Sequence, residues 1–266
     1  MNELANNSID LIVTSPPYGV GLEYEEHLRT IQDYMKLITS VLRECKRVLK
    51  PDGRICWNVA FTATFKGEKT KNYPDALFSP FKQSIYAFDE VGLPIRDFIT
   101  WYKMASDKGK SCWGSWRSAT APYLKHDAEM IIVGFKEIWK KQREWKGPSM
   151  TKDEFMQYCR DFWKFRPETQ DTQHPAPFPV QLPMRCIKLY SLPGDIILDP
   201  FLGSGTTLLA ARMIDNRIAI GYEINDDYKE IIYEKTKLNL PDLLKKYFPT
   251  PLTLLDYLKQ EPVVIK

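Results

Sequence analysis

Two short segments of this 266-residue chain place reactive residue types at the ends of apolar runs. In one, Ile196-Ile197-Leu198 leads directly into Asp199-Pro200-Phe201-Leu202-Gly203-Ser204-Gly205-Thr206-Thr207. A strand that feeds a glycine-bearing turn and then a helix start is how α/β proteins hold an anionic or polar ligand. Glycine lets the ligand approach the backbone, and the unpaired N–H groups of the first helical turn face it. The spacing is not G-x-G-x-x-G, because Leu208 stands at the third glycine position, and no Lys-Ser/Thr pair follows to make a P-loop. Glu223 ends the next apolar run, at the distance of about 20 residues where a carboxylate can accept from ribose hydroxyls. In the other segment, Ile9–Val13 stops at Thr14-Ser15-Pro16-Pro17-Tyr18-Gly19. Two prolines fix φ and supply no N–H, which leaves a rigid turn of acceptors. Ser15 Oγ adds an acceptor and Tyr18 a flat face, a combination suited to a planar substrate that carries an amino group. Taken singly, each segment is also an ordinary turn.

The elements around these turns read as alternating strand and helix. Ile9–Val13 is a fully apolar run, as a strand buried on both faces requires. Ile31, Tyr34, Leu37, Ile38, Val41, Leu42, Cys45, Val48 and Leu49 recur at helical spacing, and Pro51-Asp52-Gly53 supplies breaker chemistry after them. Strands are expected at Arg54–Val59, Ile95–Trp101, Met130–Phe135, Ile196–Leu198 and Ile218–Gly221. Helices are expected at Ala76–Glu90 and Gln181–Tyr190 and from Thr206 and Asp226. Strand following helix in this rhythm implies a mostly parallel sheet with right-handed crossovers.

The two turns together resemble the amino-methyltransferases of DNA, in the group whose target-amine motif precedes the cofactor motif. That family carries a [DSN]-PP-[YFW] turn and a DPF-x-G-SGTT loop, which stand here as SPPY at 15–18 and DPFLGSGTT at 199–207. HPAPFP at 174–179 matches a further cofactor element of the family, and WGSWRSATAPYLKHDAEMIIVGFK at 113–136 is similar to members that modify cytosine. The resemblance runs from residue 8 to about 240. It implies a class I S-adenosylmethionine-dependent methyltransferase fold, Rossmann-like, with circularly rearranged halves and an inserted target-recognition region. The expected division is a catalytic half at 1–101, a recognition insert at 102–170, a cofactor-binding half at 171–245 and a tail at 246–266.

Carried over by residue, the resemblance implies that Ser15, Pro16, Pro17 and Tyr18 hold a flipped base. Asp199, Pro200, Phe201, Gly203, Ser204, Gly205, Thr206 and Thr207 would line an S-adenosylmethionine pocket, with Glu223 on the ribose and Phe178 flanking the cofactor. Serine at the first motif position is similar to the cytosine-N4 enzymes and aspartate to the adenine-N6 enzymes, so cytosine is the expected base and adenine its rival. Methylation at carbon 5 of cytosine needs a nucleophilic cysteine, typically after proline in that family. The five cysteines sit in ECK, ICW, SCW, YCR and RCI, and none follows proline. One departure stands out. Family members usually begin with a strand upstream of the NSIDLIVTSPPY segment, whereas Met1 falls seven residues before Ser8 here. The terminal EPVVIK is a candidate for that place, and a catalytically silent DNA- or cofactor-binding protein is a rival reading.

Composition sets the frame. A formal net charge of +3 and 44% hydrophobic residues describe a chain with a full core and no strong charge signature. The charge is unevenly spread: in residues 102–170 Lys and Arg outnumber Asp and Glu, and five of the seven tryptophans lie there. Arg117, Lys125, Lys140, Lys141, Arg143 and Lys146 are therefore the candidates for contact with double-stranded DNA, with Trp139 and Trp145 as core or stacking groups. A solvated charged face accounts for KEIWKKQREWK equally well. His126-Asp127-Ala128-Glu129 lacks a completing His or Cys cluster, so no metal is expected and a structural pair is. No apolar run approaches the roughly 20 residues of a membrane-spanning helix, and the polar start lacks a signal-peptide layout. The odd cysteine count fits a reducing compartment, so a cytoplasmic location is expected, and a homodimer is left open.

Overall fold

A computed structural model describes residues 1–20, 22, 25, 27–63, 78–104, 118–122, 124–167, 178–214, 217–237 and 264–265. In chain order its elements are β1 (Ile9–Thr14), α1 (Ile31–Val48), β2 (Leu49–Ala60), α2 (Pro80–Val91), β3 (Ile95–Tyr102), β4 (Ala128–Phe135), α3 (Lys152–Tyr158), β5 (Phe162–Lys164), α4 (Gln181–Tyr190), β6 (Ile196–Asp199), α5 (Thr206–Arg212), β7 (Ile218–Gly221), α6 (Tyr228–Lys237) and β8 (Val264–Ile265). The strands form one sheet in the order β5-β3-β4-β2-β1-β6-β7-β8. Every neighbouring pair is parallel except the two that involve β4, which runs against both β2 and β3.

The first strand, β1, therefore lies inside the sheet, between β2 and β6. The chain builds one flank through β2, β4, β3 and β5, then returns to the other side of β1 and continues outward as β6, β7 and β8. This is the expected circularly rearranged class I methyltransferase sheet. The order reverses between β1 and β6, and in open α/β sheets the crevice for ligands lies at that switch point.

Local sequence explains the helices. Thr30 and Asp33 form a reciprocal capping box at the start of α1. Ser79 caps α2, Pro80 opens it, and Gly92 ends it at φ 70°. The start of α2 falls later than the apolar spacing implied, because Ser79-Pro80 is a stronger start signal than any residue before it. Two hydrophobic clusters lie on opposite faces of the sheet. Ile12, Ile55, Trp57 and Leu198 pack with Tyr34, Ile38 and Leu42 of α1 and Phe88 of α2. Leu11, Val13, Cys56 and Ile197 pack with Met184 and Ile187 of α4 and Leu208 and Leu209 of α5. The strands that carry both sets are apolar on both faces, which is why they read as uninterrupted runs.

Two features differ from the sequence expectation, and a third agrees with it. Pro51-Asp52-Gly53 lies within β2, not merely after the helix. The β1–β2 register steps from Ile9↔Leu49 to Leu11↔Arg54, so extra residues bulge out of the strand there. A Cβ on Gly53 would lie 2.9 Å from the Lys50 carbonyl oxygen, which makes the tight turn a glycine position. The stretch 102–170 also contributes to the main sheet: β4 is an interior strand between β2 and β3, and β5 closes that flank. Finally, Val264–Ile265, within EPVVIK, pairs parallel with β7 and occupies the far edge.

Candidate active site

The carboxyl ends of β1, β2, β3, β6 and β7 and the amino end of the reversed β4 all meet at one edge of the sheet. Both turns singled out in the sequence leave from this edge, one from β1 and one from β6, on either side of the switch point.

The loop after β6 is braced from within. Asp199 is fully buried, and its carboxylate accepts from Thr207 Oγ1 at 2.6 Å, from the Phe201 N–H at 3.0 Å and from Thr14 Oγ1 at 2.6 Å. Burial pushes its pKa up from 3.8 to about 6, against the three hydrogen bonds that favour the charged form. Asp199 is therefore a clamp between the two turns, and its acceptors are directed at the protein itself. The Leu202 N–H donates to the Tyr222 carbonyl and the Tyr222 N–H to the Asp199 carbonyl, which fixes the loop against the end of β7. Gly203 and Gly205 have φ of 53° and 81°, the left-handed conformation that glycine takes without strain. Phe201 packs edge-on against Trp57. Ser204, Thr206 and Thr207 are buried, and Lys235 Nζ of α6 donates to Ser204 Oγ and Thr206 Oγ1.

Glu223 stands over this loop. Its Oε2 accepts from the Gly203 N–H at 2.7 Å and its Oε1 from the Asn225 N–H at 2.9 Å. Each oxygen keeps lone-pair capacity for a further donor, so the carboxylate is already oriented for a pair of hydroxyls. Phe178 is partly buried and packs against the hydrophobic cluster that the sheet shares with α4 and α5. His174 and the rest of HPAPFP before Phe178 lie outside the described residues.

The turn after β1 is held by a residue that sequence spacing did not reveal. Glu25, itself buried, accepts from the backbone N–H groups of Tyr18 and Gly19 through Oε1 and of Leu22 through Oε2. Gly19 takes φ 70°. This carboxylate fixes the turn from below, as an anion accepting several backbone N–H groups does in a nest. Above it, Ser15 Oγ and Tyr18 Oη are 2.9 Å apart. Tyr18 Oη donates to Glu129 Oε2 at 3.0 Å and accepts from Asn58 Nδ2 at 3.1 Å. Asn58 Nδ2 also donates to Glu129 Oε2 at 2.7 Å, and Lys103 Nζ to Glu129 Oε1 at 2.9 Å. Burial, then the charge of Glu129, holds the Tyr18 phenol well above its ordinary pKa, so it keeps its proton. Glu129 belongs to the HDAE segment read as a structural pair. The reversal of β4 brings it to the site, and Asp127 pairs instead with Lys125 at 3.3 Å.

The structure divides the basic candidates. Lys125 precedes β4 and lies toward the site edge, while Arg117 is outside the described residues. Lys141 and Arg143 are at the opposite end of the sheet. Lys141 Nζ lies 3.4 Å from Asp195 and 3.9 Å from Asp10, and Arg143 pairs with Asp195 at 2.8 Å. Asp10 and Asp195 begin β1 and β6, so these two cations neutralise buried carboxylates under the sheet and are not brought together with the site. Lys140 and Lys146 are exposed on the same connection. Trp139 is partly buried against the core: it packs against Phe135 and Tyr190 and under the Arg54 guanidinium.

Comparison with known proteins places this arrangement. Residues 9–234 match the model of the DNA methylase family N6_N4_Mtase. The type II methyltransferase M.BglII of Bacillus subtilis is 31% identical over 98% of this chain and 72% of its own length. M.MthZI of Methanothermobacter thermautotrophicus is 30% identical over 87% and 72%. Among solved structures, a DNA modification methylase of Thermus thermophilus in complex with S-adenosyl-L-methionine superposes with TM-score 0.68 at 24% identity, covering 90% of this chain and 92% of that one. The PvuII DNA methyltransferase, described as cytosine-N4-specific, gives TM-score 0.66 at 21% identity over 92% and 86%. With its motif-bearing turns at the switch point of such a sheet, the chain belongs to the N6_N4_Mtase family of DNA methylases.

Proposed function

We propose that this DNA methylase transfers a methyl group to the exocyclic N4 amine of cytosine in double-stranded DNA, as the modifying partner of a restriction system. The observation that carries the reading is Ser15, a hydroxyl at the first position of an otherwise acceptor-only turn, fastened through Thr14 and Asp199 to the glycine loop. The methyl donor is S-adenosylmethionine, whose sulfonium supplies an electrophilic methyl group when bound. The residues present fit it: left-handed Gly203 and Gly205 open the loop to close approach, and the oriented Glu223 carboxylate suits ribose hydroxyls.

The amine on a base is a poor nucleophile because its lone pair is delocalised into the ring. Hydrogen bonds from its N–H groups to Ser15 Oγ and the Pro16 carbonyl draw the nitrogen toward sp³ geometry and free that pair. Tyr18 offers its ring to the extruded base, and unstacking that base costs a few kcal/mol. The protein contributes position and directed dipoles, with no covalent intermediate on the enzyme. The test is to incubate the protein with DNA and labelled cofactor, digest to nucleosides and identify the label. N4-methylcytosine is the expected product. N6-methyladenine would overturn the choice of base, and DNA binding without transfer at saturating cofactor would leave a catalytically silent protein.

A further inference from the structure

Three polar side chains, Ser15, Asn58 and Lys103, converge on the Tyr18 hydroxyl and on the Glu129 carboxylate beside it. Their hydrogen-bond directions can be solved in sequence. Lys103 ammonium has only donors, and it fixes Glu129 Oε1 as an acceptor at 2.9 Å. Glu129 Oε2 therefore also accepts, from both Tyr18 Oη and Asn58 Nδ2. Tyr18 has one hydroxyl hydrogen, and it is committed to Glu129. Toward Asn58 Nδ2 and Ser15 Oγ the phenol oxygen can only accept. The hydroxyl hydrogen of Ser15 must then lie on the Ser15–Tyr18 bond. What remains on Ser15 Oγ is lone pairs.

We propose that Glu129, oriented by Lys103, is a positioning residue that fixes the polarity of this chain and so makes Ser15 an obligate acceptor for the substrate amine. The proposal rests on the reading of the SPPY turn as the amine site. It explains how a neutral serine can do what a carboxylate would do at the same position: a serine free to rotate could turn its hydrogen toward the amine, and this one cannot. The high pKa of the Tyr18 phenol keeps the required hydrogen in place. Asn58 is held in the same sense. With Nδ2 on the carboxylate, its buried Oδ1 has no partner among the described residues and is one more acceptor in this group.

Glu129→Gln tests the polarity directly. Lys103 draws the amide oxygen to itself, which turns the new NH₂ toward Tyr18. The phenol hydrogen then loses its acceptor at position 129 and is free to turn to Ser15, which sends the Ser15 hydrogen toward the amine, donor against donor. The expected result is a fall in kcat of about 100-fold, the scale seen when one directed dipole is lost from an active site. KM for cofactor and for DNA should stay within about threefold of the parent. Adding Lys103→Met frees the amide to rotate, so K103M/E129Q should recover at least about tenfold over E129Q, a rescue that a purely structural role does not give. Should E129Q fold poorly, E129D and E129N serve in its place: they shorten the side chain equally and differ in polarity, and the aspartate should be the faster by about 30-fold or more. A kcat for E129Q within about threefold of the parent, no rescue by K103M, or equal rates for E129D and E129N would overturn the proposal. The same ordering read as methyladenine supports the polarity and overturns only the choice of base. A parent that transfers no methyl overturns both.

Discussion

Thr14 Oγ1 donates a 2.6 Å hydrogen bond to Asp199 Oδ1, and this one bond fastens the end of β1 to the end of β6. The acceptor turn and the glycine loop are separated by 185 positions in sequence, yet their first residues are in direct contact with both side chains buried. A reaction that needs an amine and a methyl donor in line depends on this distance more than on either turn alone. Thr14→Val keeps the shape and removes the donor. Its expected cost is about 1.5–3 kcal/mol, the range for a hydrogen bond to a charged group. Urea denaturation measures the cost, and kcat should fall more than cofactor affinity.

The same carboxylate gives the unliganded protein a pH signature. Asp199 binds its proton more tightly in the folded state, near pH 6, than its ordinary 3.8. Its contribution to stability is complete below the unfolded value and is lost as the pH rises through about 6. At about 1.4 kcal/mol per unit the full span is about 3 kcal/mol. Melting curves of the parent and of Asp199→Asn between about pH 4 and 8 should converge or cross as pH rises, with the parent losing stability relative to the variant. A difference that is flat with pH would refute the burial argument.

Tyr18→Ala removes both the ring offered to the base and the hub of the Ser15 network. Turnover should drop by about 100-fold or more. Cofactor binding should stay near normal, because Glu223 and the glycine loop do not touch Tyr18 in any hydrogen bond described above. Calorimetry with the cofactor and a methyl-transfer assay separate the two effects, and unchanged turnover would refute the base-holding role.

Glu223→Gln leaves one oxygen and turns an NH₂ toward the donors it served. Gly203 or Asn225 then faces a donor, and a ribose hydroxyl loses its anionic acceptor. Cofactor affinity should weaken by about 10- to 100-fold, with the fold unaffected. Calorimetric titration with the cofactor checks the first, and a melting curve the second.

Lys141→Met tests the reassignment of the basic stretch. Asp10 and Asp195 are 5% and 2% exposed, and without Lys141 they keep Lys50 and Arg143, each at 2.8 Å, as partners. The expected outcome is a stability loss of about 1 kcal/mol, for the second cation and its bond to the Asp10 carbonyl, and an unchanged KM for DNA. A weaker KM with normal stability would return Lys141 to the DNA surface.

The two motif turns and Glu223 were legible in the sequence because each is a contiguous run that ends a strand, so local spacing carries the whole signal. Asn58, Lys103 and Glu129 were not, since they come from three strand ends whose adjacency exists only once the sheet order is known. Glu129 was the hardest of them. Its position follows from the antiparallel run of β4, and no alternation of apolar residues in 128–135 states a direction. The basic residues were read from composition, which states no partners. It could not show that Lys141 is drawn between Asp10 and Asp195, or that the exposed Arg143 pairs with Asp195, because those carboxylates lie far away in the chain. The glycine in Pro51-Asp52-Gly53 was read as an end signal, whereas a bulge inside the strand needs it for its missing Cβ, which would meet the Lys50 carbonyl.

The reversed strand also governs what in this protein is exchangeable. Because β3 arrives at the site edge at Tyr102 and β4 departs from that edge at Ala128, whatever lies between them begins and finishes at the rim of the crevice. The ladder between the two strands does not depend on the length or composition of that connection. Grafting in this connection is therefore expected to change what the rim touches while the chemistry below it stays as it is.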